Sequence, residues 1–387
     1  MTPPKKHRTT GQSTIAIHGG SEPRVSGDPI SSPLTQSVNF VQDFGTAEGL
    51  KYTRYGNTPN AEIVQKRIAL LEGAEESLVL SSGMGATSCA LLALLRPGDH
   101  LLSASWIYGG TRKLFDEEFV SMGIEVSYAN PDERRVWRNT IRQNTRAIFI
   151  ESPANPTSRV IDIPQLAILA RNQGVALVVD STLASPINCR PISLGADVVI
   201  HSATKYLNGH HDILCGVVAG TSSYIEEVRR KMIVWGQAPD PFACWLLERG
   251  LKTLDVRVRR SNENAMRVAE WCKERPEIRN VHYIGLPDHP DHSLAKKLLD
   301  GFGGLMSIEL AGGVEAADNF ARKLRMISYA SSLGGVDTLA VEPRFSSHAH
   351  MTSEQRAKIG VPDGFLRLSI GIENFEDIIA DIAQALQ

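Results

Sequence analysis

The sequence predicts an α/β protein: a large domain on a mostly parallel sheet with helices on both faces, followed by a smaller α+β C-terminal domain. Three observations carry this. Between Glu62 and about Leu254 short apolar runs alternate with helical stretches, the rhythm of parallel strands joined by crossover helices. The runs RAIFIES (Arg146 to Ser152), VALVVD (Val175 to Asp180) and DVVIH (Asp197 to His201) are nearly unbroken in apolar residues, as strands buried on both faces must be. Near Leu254 the pattern changes to VRVRRSNENAMRVAEWCKE, a long amphipathic helix that opens a second unit.

In chain order, residues 1–60 are rich in Gly, Pro and Ser and read as an extended arm. Residues 61–254 form the larger domain. Its first elements are the strand SLVLSS, the helix ATSCALLALL and the strand HLLSAS, with Pro97 and Gly98 marking the turn between the last two. Residues 255–387 form the smaller domain, with GGLMSIEL and FLRLSIGIE as strands and EDIIADIAQAL as the closing helix. A chain of 387 residues has enough length for one large core and one smaller.

Composition narrows the function classes. Hydrophobic residues make up 42% and charged residues 22%, a globular balance, and the net charge of -2 offers nothing to attract nucleic acid or an anionic membrane. The five cysteines are scattered without a C-x-x-C pair, so no disulfide framework or metal site is expected. The N-terminal MTPPKKHRTTGQS lacks an apolar signal core and no run of 18 apolar residues occurs, so a cytoplasmic protein is expected.

In open sheets of this kind ligands sit beyond the carboxyl ends of the strands. There the sequence places Lys205, in HSATKYLNGHH, directly after a buried strand and behind small hydroxyl residues. Desolvation lowers the pKa of such a lysine and frees a neutral amine to attack an aldehyde; a surface lysine in a loop is the plainer alternative. Asp180 ends VALVVD and can keep a pyridinium nitrogen protonated, or it caps the next helix. In SSGMGATS the amides of Gly83 and Met84 open a helix and form an anion site, unless the glycine is ordinary turn chemistry. Ser202 and Thr204 either donate to the same anion or satisfy nearby backbone. Tyr108, in WIYGGTR, either lies against a planar ligand or packs in its turn. Arg367, in FLRLSIG, suits a substrate carboxylate or an ion pair within the domain.

Together these segments resemble the transsulfuration family of cysteine and methionine metabolism, enzymes dependent on pyridoxal 5′-phosphate (PLP) that include cystathionine γ-synthase, γ-lyase and β-lyase and methionine γ-lyase. The resemblance runs from TIAIHGG at Thr14 to the C-terminus, and DVVIHSATKYLNGHH matches the lysine signature throughout. It implies the fold type I architecture, with Lys205 as the lysine that carries the cofactor, Asp180 on the pyridine nitrogen and Tyr108 stacked on the ring. Gly83, Met84, Ser202 and Thr204 are then around the phosphate, and Asn155 in ESPANPT is near the phenolic oxygen. Tyr52 and Arg54, in KYTRYGN, resemble the pair that reaches the phosphate from a neighbouring subunit, which implies a homodimer, usually paired into a homotetramer. Ser332 and Arg367 resemble the substrate-carboxylate site.

Some positions depart from the family pattern. Gly56-Asn57-Thr58-Pro59 replaces G-N-P-T; Asp180-Ser181-Thr182 replaces D-N-T; Gly110 stands where methionine γ-lyases have cysteine; Asp337 stands where relatives commonly have glutamate. Glu342, Arg344, His348 and His350 make the nearby stretch unusually polar. The expected activity is γ-elimination or γ-replacement on an amino acid of L-homoserine type, cystathionine or an O-acylhomoserine first. Asp337 and Glu342 raise the further idea of a cationic leaving group, as in canavanine. Cystathionine β-lyase is the rival within the family; a cofactor-independent Schiff-base aldolase and a non-catalytic PLP-binding protein are the rivals outside it.

Overall fold

A computed structural model of the chain describes residues 10–347, 349 and 351–387. Two sheets organise it. The larger is built from β1 (Glu76–Leu80), β2 (His100–Ala104), β3 (Glu125–Ala129), β4 (Thr145–Glu151), β5 (Ala176–Asp180), β6 (Val198–Ser202) and β7 (Gly216–Gly220), in the order β1-β7-β6-β5-β4-β2-β3. The pairs from β3 to β6 are parallel, and β7 runs antiparallel to both of its neighbours.

Strand alternation divides the apolar side chains of this sheet between two cores. Leu78, Leu80, Ile200 and Val218 pack under the helices Gly83–Leu94, Ile163–Gln173 and Ser222–Trp235, while Val79 and Val217 pack under Pro59–Glu72 and Pro241–Leu251. Phe149, Val178, Val199 and Ile200 are wholly buried, each burial contributing roughly 1.5–3 kcal/mol, which is why these runs carry no polar alternation. The strands β3 and β7 did not stand out in the sequence. EVSYA is a partly exposed edge, and GVVAG is a five-residue run bounded by glycines.

The smaller sheet is built from β8 (Ile278–His282), β9 (Leu305–Leu310), β10 (Ser328–Tyr329), β11 (Leu339–Val341) and β12 (Phe365–Ser369), in the order β10-β11-β12-β9-β8, antiparallel except between β10 and β11. The amphipathic helix expected after the large domain spans Leu254–Lys273. It ties to the end of β12 through Ser261 Oγ, which donates to the Ile370 carbonyl at 2.7 Å, and Asn264 Nδ2, which donates to that of Gly371 at 3.1 Å. The closing helix Phe375–Leu386 and the helix Gly313–Lys323 complete this core.

The arm needs one correction. Residues 1–9 lie outside the described residues, and Gln12–His18 is a helix rather than extended chain, because buried Ala16 and the bonds from Gln12 Nε2 to the Leu71 carbonyl and from Ser13 Oγ to Asp255 hold it on the body. Among the described residues no helix is long and apolar enough to cross a membrane.

Candidate active site

The carboxyl ends of β4 and β5 lie level, with Glu151 opposite Asp180, and β6 continues to Ser202 past Ile200, the residue opposite Asp180. Beyond them opens a cavity of about 610 Å³. It is lined by Gly83, Met84, Tyr108, Asn155, Asp180, Ser202, Thr204, Lys205, Ser332 and Arg367, residues drawn from both halves of the chain.

Lys205 sits in the turn after β6, its amide donating back to the Ser202 carbonyl at 3.1 Å. Its Nζ donates to Ser332 Oγ at 2.8 Å. Burial, and then the charge of Arg367, draws its pKa down to about 8, so an appreciable fraction of the amine is neutral in ordinary buffers. Ser332 has φ +96°, a backbone state that a residue with a side chain rarely adopts, and its carbonyl accepts from Arg367 Nη2 at 2.6 Å. Arg367 is buried on β12 and its Nη1 donates to Asn155 Oδ1 at 3.2 Å. Both partners are neutral oxygens, Nε has no partner among the described residues, and burial lowers the pKa of the guanidinium to about 10. These contacts disfavour an ion pair within the domain and leave a buried cation facing the cavity, a setting suited to a bidentate carboxylate ligand.

Asp180 Oδ1 accepts from the amide of Thr182 at 3.0 Å and from its hydroxyl at 2.5 Å. Burial pushes the Asp180 carboxyl upward, and the Thr182 bonds pull against it. Across the strand pair lies a second carboxylate, Glu151, which sequence reasoning missed although it too ends an apolar run. Burial and the charge of Asp180 raise its pKa, while the amides of Asn155 and Tyr108 lower it.

The third strand end presents a helix mouth to the cavity. Ser82 caps the helix Gly83–Leu94 by accepting from Gly85 N at 2.9 Å, which leaves the Gly83 and Met84 amides at the helix mouth. A Cβ on Gly83 would stand 2.8 Å from Ser202 Cβ, so only glycine lets the helix mouth approach β6 this closely. For Thr204 the structure shows the second of its two alternatives, the backbone contact. Its hydroxyl donates to the Cys215 carbonyl at 3.2 Å and accepts the Cys215 amide at 3.1 Å, so it braces β7 even while it lines the cavity. The remaining donor set, two helix-mouth amides and a serine hydroxyl near a pKa-lowered lysine and a carboxylate, fits a phosphorylated pyridine aldehyde.

Three predicted residues stay apart from the cavity. Arg54 lies 5.8 Å from the centre of the Tyr52 ring, and neither lines the cavity of its own chain. Asn57, in the departing G-N-T-P turn, accepts the Tyr52 amide at 3.0 Å, and Pro59 opens the following helix. Asp337 is exposed and does not line the cavity of its own chain, where the adjacent Thr338 is tied to Glu373. Glu342 is buried against Arg344 at 2.6 Å, and Arg344 also pairs with Asp318. Its charge is compensated there, so the acidic lining that prompted a cationic leaving group is not formed by these residues within the chain. His348 and His350 lie outside the described residues. Among the described residues no His, Cys, Asp and Glu group is arranged to hold a metal ion.

Known proteins resemble this chain over nearly its whole length. The family model described as Cys/Met metabolism PLP-dependent enzyme matches residues 13–387. An L-methionine γ-lyase of Fusobacterium nucleatum subsp. polymorphum is 37% identical over 97% of this chain and 98% of that relative. A cystathionine β-lyase of Coxiella burnetii is 37% identical over 96% of this chain and 97% of that relative. The crystal structure of cystathionine γ-synthase from Xanthomonas oryzae pv. oryzae in complex with cystathionine superposes with a TM-score of 0.94 at 36% identity, covering 98% of each chain.

Proposed function

The chain belongs to the Cys/Met metabolism PLP-dependent enzymes, and on that premise we propose that it catalyses γ-elimination or γ-replacement on an L-homoserine-type amino acid, with cystathionine or an O-acylhomoserine as first substrates. Membership removes the cofactor-free aldolase and the non-catalytic binding protein as readings. In this proposal Gly83, Met84 and Ser202 would hold the phosphate, with Thr204 beside them bracing β7 and Tyr52 and Arg54 of a neighbouring subunit completing the site. Asp180 faces the ring nitrogen, Tyr108 the ring and Asn155 the phenolic oxygen, and Lys205 bears the aldehyde carbon. When bound, PLP supplies an electron sink for the pair left at the substrate α-carbon.

The observation that carries the reading is the single residue joining base and anchor. Ser332 accepts Lys205 Nζ on its hydroxyl at 2.8 Å and Arg367 Nη2 on its carbonyl at 2.6 Å. A substrate carboxylate on Arg367 is thereby registered against Lys205, whose lowered pKa suits it to take the α-proton and to move protons at the β- and γ-carbons together with the Tyr108 hydroxyl. A further hollow of about 360 Å³ continues past Tyr108 and gives room for a leaving group beyond the γ-carbon.

The second reading is β-elimination from cystathionine, favoured by the likeness to the Coxiella enzyme and served by the same residues. Assay of the purified protein with L-cystathionine, and with an O-acylhomoserine with and without cysteine, decides between them. Release of 2-oxobutanoate or a replaced γ-product supports γ-chemistry; pyruvate with homocysteine overturns it in favour of the β-reading. A homodimer, paired into a homotetramer, is part of the proposal, supported by the fully exposed apolar side chains of Val41 and Phe44 on the arm. A cytoplasmic location is supported by five buried, unpaired cysteines.

A further inference from the structure

Glu151 is the one charged cavity residue to which the chemistry above assigns no task. It ends β4 and is only 5% exposed. Its Oε2 receives the backbone N–H of Tyr108 at 2.6 Å, and its Oε1 that of Asn155 at 3.0 Å. Both carboxyl oxygens act as acceptors and each takes one amide, the bond from Tyr108 short and that from Asn155 of ordinary length.

The two amides belong to different segments. Tyr108 stands between β2 and the helix Gly109–Lys113, and Asn155 lies in the loop after β4. Because β2 and β4 are paired neighbours, the end of β4 reaches both. Tyr108 is 45% exposed, its ring resting over Gly110, so where its backbone is anchored bears strongly on its aim. Asn155 passes the constraint on, since its Oδ1 accepts from Arg367 Nη1 at 3.2 Å. Neither near relative of glutamate does the same. Aspartate is one methylene too short to span both amides, and glutamine would turn an NH2 donor toward one N–H donor. Burial opposite Asp180 raises the pKa of this carboxyl, and the two amides pull it back only in part, so the clamp stands on the two bonds themselves.

We propose that Glu151 is a positioning residue that sets Tyr108 and Asn155 by clamping their backbone amides, an inference that rests on the reading of those two residues as cofactor contacts. The test is Glu151→Gln, with three readouts. In cofactor-free protein, hydrogen exchange of the peptides containing Tyr108 and Asn155 should accelerate by about tenfold or more. In the loaded protein the visible circular dichroism of bound PLP should shrink, and kcat should fall by about tenfold to a hundredfold. On a Tyr108→Ala/Asn155→Ala background the same substitution should cost less than about twofold in kcat, because the groups it positions are gone. Wild-type exchange and dichroism in Glu151→Gln overturn the proposal, as does a full kcat loss repeated on the double-alanine background. If Tyr108→Ala and Asn155→Ala themselves leave PLP affinity and dichroism unchanged, the underlying reading has failed and the proposal falls with it. That outcome differs from the failure of Glu151 alone, in which the alanine variants are impaired and Glu151→Gln is not. Glu151→Asp is expected to give the same losses and takes the place of the glutamine variant should that fail to fold.

Discussion

Cofactor-free protein mixed with PLP should capture it at a rate set by the uncharged fraction of Lys205. Burial, then the charge of Arg367, moves the pKa of this amine from an ordinary 10.5 to about 8. At pH 7 about one amine in ten is then neutral, against about one in 3,000 for an ordinary lysine, an advantage of about 300-fold. The sign follows from the neutral form being the nucleophile. Capture should slow about tenfold for each pH unit below the folded pKa and level off above it. Replacing Arg367 by methionine removes the second cause and should move the midpoint upward. The assay is stopped-flow growth of the visible absorption of bound PLP between about pH 6 and pH 10. A rate independent of pH, or a midpoint near that of free lysine, would refute the link between burial and reactivity.

Three further outcomes are expected. Asp180→Asn keeps the shape that Thr182 grips but removes the charge, so kcat should drop by about a hundredfold or more with PLP still bound; wild-type turnover would remove Asp180 from the chemistry. Gly83→Ala places a Cβ 2.8 Å from that of Ser202 and should cost about 1–3 kcal/mol in a thermal melt together with PLP affinity, and both readings unchanged would contradict the close approach. If Tyr52 and Arg54 serve the neighbouring subunit, inactive Lys205→Ala and impaired Arg54→Ala chains should regain activity on mixing and reassembly, since one interface then holds an intact site; absence of recovery counts against a shared site.

Much of the site was legible because it obeys one local rule. Lys205, Asp180 and Gly83 each follow an apolar run, and the ends of parallel strands converge on one crevice whatever the strand order. Glu151 obeys the same rule and was overlooked because nothing about a lone glutamate reveals that its two oxygens meet amides 43 and 4 residues away. Asp337 differs: an acidic residue near a substrate motif reads as lining, while the turn before β11 leaves it on the surface of its own chain.

The sequence by itself determined the fold class, the family and most of the residues that line the cavity, because hydrophobic period, chain punctuation and an unbroken lysine signature are local properties. Tertiary structure decided the rest: that β7 inserts between β6 and β1 against the parallel run, that Ser332 links Lys205 to Arg367, that Arg367 is buried on neutral partners, and that Glu342 is neutralised by Arg344. These depend on which distant segments the cores bring together, and the free energy that brings them together is non-directional burial of apolar surface, which leaves no mark on the polar residues it happens to juxtapose.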